Sequence, residues 1–368
     1  MSHSKRDSSE HIKLFIPGPT EVRPEILDAQ TAWMIGHRMP ECADLFESIQ
    51  GKLRQVFKSS SRVYVNASSG TGLQEAAVRN CSATRVLNCV NGAFSERWRQ
   101  VTEANGKAND VLHATWGQPI TPEAVAEKLM NDRFDAITVV HNETSTGVTS
   151  PIGEIASAIR DLPGGGEIMI LVDSVSGLSG ARLEFDNWDL DVVLTSSQKA
   201  FALPPGLAMC AVSDRALARA QSVAGRGYYF DFVLLEKYLR RNQTPATPAI
   251  SLMYALDKQL DDILAEGLEN RFARHLTLRD KTMGWARDRG FSLFATQGYE
   301  SPTVTCINND RDLDIPALNQ YLRSHGMIIS HGYGPLKGKA FRVAHMGDVT
   351  QRDMETLLET IDAYLTSI

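Results

Sequence analysis

Paired cysteines, long apolar runs, internal repeats and an excess of one charge are all missing from this 368-residue sequence. The five cysteines are Cys42, Cys81, Cys89, Cys210 and Cys306. Their number is odd and no Cys-x-x-Cys pair occurs, so neither a disulfide framework nor a zinc ribbon is indicated and no metal is expected. Unpaired thiols fit a reducing compartment, and the expected location is the cytoplasm. No apolar run approaches the ~20 residues needed to span a bilayer, so no membrane association is expected. Met1 to Lys13 is polar and charged, without the apolar stretch of a secretory leader. Lys and Arg number 38 against 44 Asp and Glu, a formal charge of −6, and nucleic acid is not an expected partner.

What is present is the composition of a folded protein, 43% hydrophobic and 22% charged. At roughly 150 residues per domain the length suggests about two domains. From Arg62 onward, strand-like and helix-like segments alternate. Strand candidates are Arg62 to Ala67, Arg85 to Val90, Val111 to Thr115, Asp135 to Asn142, Glu167 to Asp173, Leu190 to Ser197 and Leu207 to Ser213. Helical spacing occupies Gly72 to Cys81, Phe94 to Glu103 and Ile152 to Leu162. Thr121-Pro122-Glu123 starts another helix with an N-cap and a proline at its first position. This alternation implies an α/β fold with a mostly parallel sheet. Ile168 to Val172 is apolar at every position, the pattern of a strand buried on both faces. Ligands bind such sheets at the carboxyl ends of the strands, so the residues just after each strand carry the functional information.

The last hundred residues differ. Leu268, Phe272 and Leu276 open a long helix, and Pro302 to Ile307 is strand-like. Ile315 to Ser324 is a helix and Lys339 to His345 a strand. An amphipathic helix over Val349 to Leu365 closes the chain. The expected division is an N-terminal arm over 1–17, a large domain over 18–266 and a small α+β domain over 267–368.

Several residues sit where chemistry is expected. Asp173 ends a buried strand, where a carboxylate needs a partner. It is either a turn or cap aspartate or a carboxylate facing a positive group on a cofactor. Lys199 follows the next strand, within Ser196-Ser197-Gln198-Lys199-Ala200. Alone it reads as a solvated surface lysine. An aspartate and a lysine at the ends of adjacent strands are also what pyridoxal phosphate chemistry requires: the amine forms a Schiff base with the aldehyde, and the carboxylate keeps the pyridine nitrogen protonated. Ser68-Ser69-Gly70-Thr71-Gly72, between a strand and a helix, suits a phosphate at a helix N-terminus. It is neither a Walker A loop nor a dinucleotide fingerprint. Asn91-Gly92-Ala93-Phe94 offers an aromatic ring that either stacks on a flat cofactor or packs in the core. Glu143-Thr144-Ser145-Thr146-Gly147 is either a polar capping turn or a source of hydroxyls for a ring substituent. Arg342, in an otherwise apolar strand, needs either a structural ion pair or a substrate carboxylate.

In order along the chain, Pro-Gly-Pro-Thr at 17–20, Ser-Gly-Thr-Gly at 69–72, Asn-Gly-Ala-Phe at 91–94, Glu-Thr-Ser-Thr-Gly at 143–147, Val-Asp-Ser-Val-Ser at 172–176, Ser-Ser-Gln-Lys-Ala at 196–200, Pro-Pro-Gly at 204–206 and Phe-Arg-Val at 341–343 resemble the class V, fold-type I pyridoxal phosphate aminotransferases. The likeness is greatest to the alanine–glyoxylate and serine–pyruvate or serine–glyoxylate group, and it covers nearly the whole chain.

The resemblance implies a seven-stranded large-domain sheet and pyridoxal 5'-phosphate as cofactor. Lys199 would bind the aldehyde and carry the proton, and Asp173 would pair with the pyridine nitrogen. Phe94 would stack on the ring. Ser69, Gly70 and Thr71, helped by Gln198, would hold the phosphate, and Thr144 or Ser145 would contact the ring hydroxyl. Arg342 would bind the substrate carboxylate, with Gly18 beside the substrate. Thr244 and Thr247 would complete the phosphate site of a neighbouring subunit, which implies a homodimer. The expected reaction is a ping-pong transfer of an amino group from alanine or serine to glyoxylate or pyruvate. One clearly placed arginine favours such small donors over aspartate, phosphoserine or aminophosphonates. A lyase or desulfurase of the same superfamily is the alternative chemistry, although Cys306 lies in a strand-like segment unsuited to a mobile nucleophile. A non-catalytic binding protein on this fold is the other. Thr71 and Phe94 replace the histidine and larger aromatic of several relatives. His37-Arg38 resembles a pair in serine–glyoxylate-type members and has no assigned role, and His331 and His345 read as structural.

Overall fold

The computed structural model describes residues 11–367, so the tail expected over the first ten residues lies outside the described residues. In chain order the strands are β1 (Lys13–Phe15), β2 (Arg62–Ala67), β3 (Arg85–Val90), β4 (Ala108–His113), β5 (Ala136–Val140), β6 (Asn142–Glu143) and β7 (Val148–Thr149). They continue as β8 (Met169–Asp173), β9 (Val192–Ser196), β10 (Leu207–Val212), β11 (Val304–Asn308), β12 (Met327–His331) and β13 (Ala340–Ala344).

Seven of them form one sheet in the order β2-β10-β9-β8-β5-β3-β4. Only β10 runs antiparallel to its neighbours. All five residues of β8 are buried, because both faces of the sheet are covered. Successive side chains of a strand point to opposite faces. Met169 and Leu171 accordingly pack with the helices Gly70–Cys81 and Ala93–Ala104. Ile170 and Val172 pack on the opposite side with the helices Pro40–Phe57, Ile152–Arg160 and Ile250–Glu266. Each such aliphatic side chain contributes roughly 1.5–3 kcal/mol by leaving water, which fixes the strand register and with it the positions of the strand ends.

The second sheet has the order β1-β12-β13-β11 and packs with the helices Leu268–Asp288, Ile315–Ser324 and Gln351–Ser367 around a separate core. Lys13–Phe15 falls within the segment read as an arm. It is the edge strand of this second sheet, parallel to β12 in the register Leu14 to Ile328. The chain then passes from this sheet over the large one. Two helices in regions with no assigned element, Pro40–Phe57 and Ile250–Glu266, are the longest on their face. The first buries Phe46, Ile49, Leu53 and Val56, a helical spacing legible in the sequence. It lacks a side-chain N-cap, the signal that marks the helix at Thr121. β4 begins at Ala108 rather than Val111, and half-buried side chains along it explain the weak apolar pattern.

Candidate active site

The carboxyl ends of β5, β8 and β9 lie side by side, since Val140 is in register with Asp173 and Asp173 with Leu194. Around these ends is a cavity of about 260 Å³, and Ser69, Gly70, Thr71, Phe94, Thr144, Asp173, Gln198 and Lys199 all line it. Residues separated by up to 130 positions thus meet because each follows a strand or begins a helix at the same sheet edge.

Asp173 is 5% exposed. Its Oδ1 accepts the Val175 N–H at 2.8 Å, and its Oδ2 accepts from Gln74 Nε2 at 2.6 Å. Burial raises its carboxyl to about pH 6, while the two hydrogen bonds pull the other way. The turn-aspartate reading is therefore half realised: one oxygen serves the local turn, and the other faces Gln74 and the cavity. A cation at this position would restore the ionised form.

Lys199 projects from the turn after β9. Its amine donates to the Pro17 carbonyl and stands 6.0 Å from the Phe94 ring centroid. Burial lowers its pKa to about 8, with Arg342 and Arg97 acting the same way and Asp173 opposing. Gly18 has φ +114°, and a Cβ there would lie 2.6 Å from the Lys199 amine, so only glycine leaves room for it.

The helix Gly70–Cys81 begins at this cavity, with Ser69 extended at its N-cap. A Cβ on Gly70 would meet Val175 at 2.4 Å, so the backbone amides of the first turn are brought close to the end of β8. The buried Ser196 hydroxyl and Gln198 amide oxygen have no partner among the described residues. A buried polar atom without a partner costs about 1–3 kcal/mol, and a bound polar group removes that cost. An anion at the helix N-terminus, within reach of the Ser196 hydroxyl, is a direct fit. The cavity thus holds an anion site, an aromatic wall, an amine of lowered pKa and a buried carboxylate. These match the phosphate, ring, aldehyde and pyridine nitrogen of pyridoxal phosphate.

Other expected residues are placed differently. Thr144 lines the cavity, but Ser145 does not. The Ser145 hydroxyl donates to Glu143 at 2.6 Å and accepts from the Ala93 N–H, so it is committed to the loop itself. Arg342 is buried without an ion pair among the described residues. It donates to the carbonyls of His331 and Thr144 and to the Ser330 hydroxyl, each at 3.0 Å. His345 is buried against the Thr305 hydroxyl at 3.0 Å. Thr244 and Thr247 line a separate small cavity with Tyr228 and Tyr229. Arg38, which lacked a role, donates to the Thr244 carbonyl at 2.8 Å and lies over the Tyr238 ring at 5.3 Å, holding that loop.

Gln74, Asn142 and Arg97 escaped the sequence reading, whereas Glu143 realises the polar capping turn expected of its loop. Gln74 lies one helical turn past the phosphate loop. Glu143 caps the helix that carries Phe94, accepting from the Phe94 and Ser95 N–H groups and the Ser95 hydroxyl. Asn142 lines the cavity and donates to Ser176 and Thr303. Arg97 also lines it, donating to the Tyr333 hydroxyl at 3.3 Å and lying 5.0 Å over the Phe94 ring. Its position one turn after Phe94 was the available signal. It is an arginine beside the cavity that the sequence reading did not name.

The fold and this cavity define a pyridoxal phosphate enzyme. The sequence matches the family model Aminotransferase class-V over residues 23–338, and the chain belongs to that family. It is 32% identical over 365 residues to serine–glyoxylate aminotransferase of Methylorubrum extorquens, covering 95% of this chain and 90% of that protein. It is 31% identical over 345 residues to L-aspartate–glyoxylate aminotransferase of Paracoccus denitrificans, covering 92% and 87%. The structure of an alanine–glyoxylate aminotransferase from a Nostoc species superposes with a TM-score of 0.91 at 28% identity, covering 99% of this chain and 98% of that one. The protein is a class V aminotransferase, and its cofactor is pyridoxal phosphate.

Proposed function

We propose that this aminotransferase moves an amino group from alanine or serine to glyoxylate or pyruvate by a double-displacement mechanism. The observation that carries the reading is the convergence of Lys199, Asp173 and the Ser69–Thr71 loop on one cavity of about 260 Å³. Bound pyridoxal phosphate supplies an aldehyde and an electron-withdrawing ring that stabilises charge at the donor Cα. In this reading Ser69, Gly70 and Thr71, with Ser196 and Gln198, bind the phosphate, and Phe94 covers the ring. Thr144 faces the ring hydroxyl. Asp173 holds a proton at the pyridine nitrogen, oriented by Gln74. Lys199 Nζ accepts the proton that leaves the donor Cα, a role favoured by a pKa near the working pH. Arg342 takes the donor carboxylate in exchange for a backbone carbonyl, and Gly18 leaves the approach open.

Arg97 favours a second reading, in which aspartate is the donor. It lines the cavity without a carboxylate partner among the described residues and would take the second carboxylate. A desulfurase reading is disfavoured. Cys306 is 2% exposed in β11 and its thiol is pushed up to about 12, so it is neither mobile nor a thiolate.

The proposed working unit is a homodimer of subunits divided at 18–266 and 267–368, each lending Thr244 and Thr247 to the other's phosphate. The exposed Trp33, Met34, Tyr228 and Tyr229 support a covered surface there. Among the described residues no helix is long and apolar enough to cross a membrane. All five cysteines are unpaired and buried, which supports a cytoplasmic location.

Single-turnover absorbance of the loaded enzyme with alanine, serine and aspartate tests the choice. Rapid bleaching of the visible band by alanine or serine supports the first reading. A preference for aspartate that disappears in Arg97→Leu supports the second, and an unchanged band with all three rejects both.

A further inference from the structure

We infer that Arg271 is a positioning residue for Lys199, holding the turn that carries the lysine from the small-domain side. The inference rests on the reading of Lys199 as the cofactor-binding lysine. Arg271 lies in the first turns of the helix Leu268–Asp288 and is only 2% exposed. Its Nη2 donates to the Ala200 carbonyl at 2.8 Å and to Asp348 Oδ1 at 3.1 Å. Its Nη1 donates to Glu266 Oε2 at 2.7 Å. One guanidinium therefore joins the last residue of the helix Ile250–Glu266, the loop after β13 and the carbonyl of Ala200, the residue after Lys199.

The turn closes on itself through the Ala202 N–H to the Lys199 carbonyl at 2.8 Å, yet it contains a strained residue. Ala202 has φ +51°, a left-handed conformation that costs a non-glycine residue roughly 1–2 kcal/mol. Such a conformation persists only where its surroundings impose it. Thr20 donates from its hydroxyl to the Lys199 carbonyl at 2.9 Å and from its amide to the Gln198 carbonyl at 3.1 Å. Ser179 adds a bond to the Ala200 carbonyl at 2.9 Å. From below, Gly347 approaches so closely that a Cβ would lie 3.0 Å from that of Ala202. The Gly347 loop is pinned in turn, since Asp348 accepts from Arg23 at 2.7 Å and from Gln259 at 3.0 Å, and the Gly347 carbonyl accepts from Arg274.

Among the described residues Arg271 is the one charged donor on the lysine turn. Charge-assisted bonds are shorter and about twice as strong as neutral ones, and two carboxylates keep the guanidinium aimed. Errors of about 1 Å in the place of a reacting group lower rates by up to about a hundredfold. A guanidinium that holds the carbonyl of the residue after Lys199 therefore bears on the reach of its amine. Because Arg271 stands on a small-domain helix, the lysine is registered to that domain as well as to the large sheet.

The test uses the full chain as wild type, Arg271→Lys and Asp348→Asn. The lysine variant keeps the charge beside Glu266 but cannot also span to the Ala200 carbonyl. First, borohydride reduction of the loaded wild type and peptide mapping locate the cofactor. A label anywhere but Lys199 rejects the underlying reading. With the label on Lys199, two readouts separate positioning from mere stability. They are the rate at which cofactor-free protein captures pyridoxal phosphate, and the visible circular dichroism per unit absorbance of the bound cofactor. The expected result is capture slowed about tenfold and a dichroism ratio at least halved in Arg271→Lys. Asp348→Asn should shift the same way to a smaller extent, with thermal melting of both within a few degrees of wild type. Wild-type capture and dichroism in both folded variants would overturn the inference, as would losses seen only in proportion to unfolded protein.

Discussion

Pro17 and Lys199 are 182 positions apart, yet the lysine amine donates to the Pro17 carbonyl and passes over Gly18, whose hydrogen stands where a methyl could not. The segment Pro17–Thr20 is thus the ceiling of the site. It is held there by β1 in the small sheet on one side and by the Thr20 bonds to the lysine turn on the other.

Gly18→Ala should lose cofactor more than fold. A Cβ 2.6 Å from Nζ, on a residue with φ +114°, must displace the lysine or the segment. Cofactor capture is expected to slow by at least about tenfold. Stopped-flow absorbance during reconstitution measures this, and a wild-type rate would show that the segment moves freely.

The Lys199 pKa of about 8 predicts the pH dependence of cofactor capture. The neutral amine is the reactive form, so the rate constant should rise with pH and level off above about 8. A midpoint near 10.5, the ordinary lysine value, would mean that burial and the two arginines do not act on the amine as placed.

Asp173 links stability to pH in the cofactor-free protein. Its pKa is raised on folding, from 3.8 to about 6, so the folded state holds the proton more tightly. That stabilisation is complete below about pH 4 and is lost as pH rises through 6, to the extent of about 3 kcal/mol. Asp173→Asn should abolish this loss, so the variant should melt progressively higher than wild type between pH 4 and 7. Parallel melting curves across that range would contradict the assigned burial.

Arg38→Ala should mimic Thr244→Val. Arg38 fixes the loop that carries Thr244 and Thr247 through the Thr244 carbonyl and the Tyr238 ring. Losing one charge-assisted bond costs about 1.5 kcal/mol, or about tenfold in cofactor dissociation constant if that loop reaches a phosphate. Equilibrium dialysis of pyridoxal phosphate with each variant decides it, and unchanged retention in both would exclude the loop from the site.

Much of this was legible in the chain. The apolar runs and glycine loops determined an α/β fold, because a strand buried on both faces is apolar at nearly every position and carries its polar residues toward its end. The order of Asp173, Lys199 and the Ser69–Thr71 loop determined where the site would be, because strand ends of a parallel sheet share one edge. Other residues were not legible. Ser145 and Thr144 are neighbours of similar chemistry, and only the position of Glu143 decides that Ser145 turns inward. Gln74 and Arg97 lie in ordinary helices, and their importance comes from the helix face that packing turns to the cavity.

The sequence by itself thus determined the class of chemistry, since residue types at strand ends follow from local pattern. The tertiary structure alone decided the reach and charge state of each group. Burial raises Asp173 and lowers Lys199, β1 brings Pro17 and Gly18 over the amine, and Arg271 ties the lysine turn to the helix Leu268–Asp288. Those effects depend on which distant atoms exclude water or lie within bonding distance, and no linear pattern encodes that.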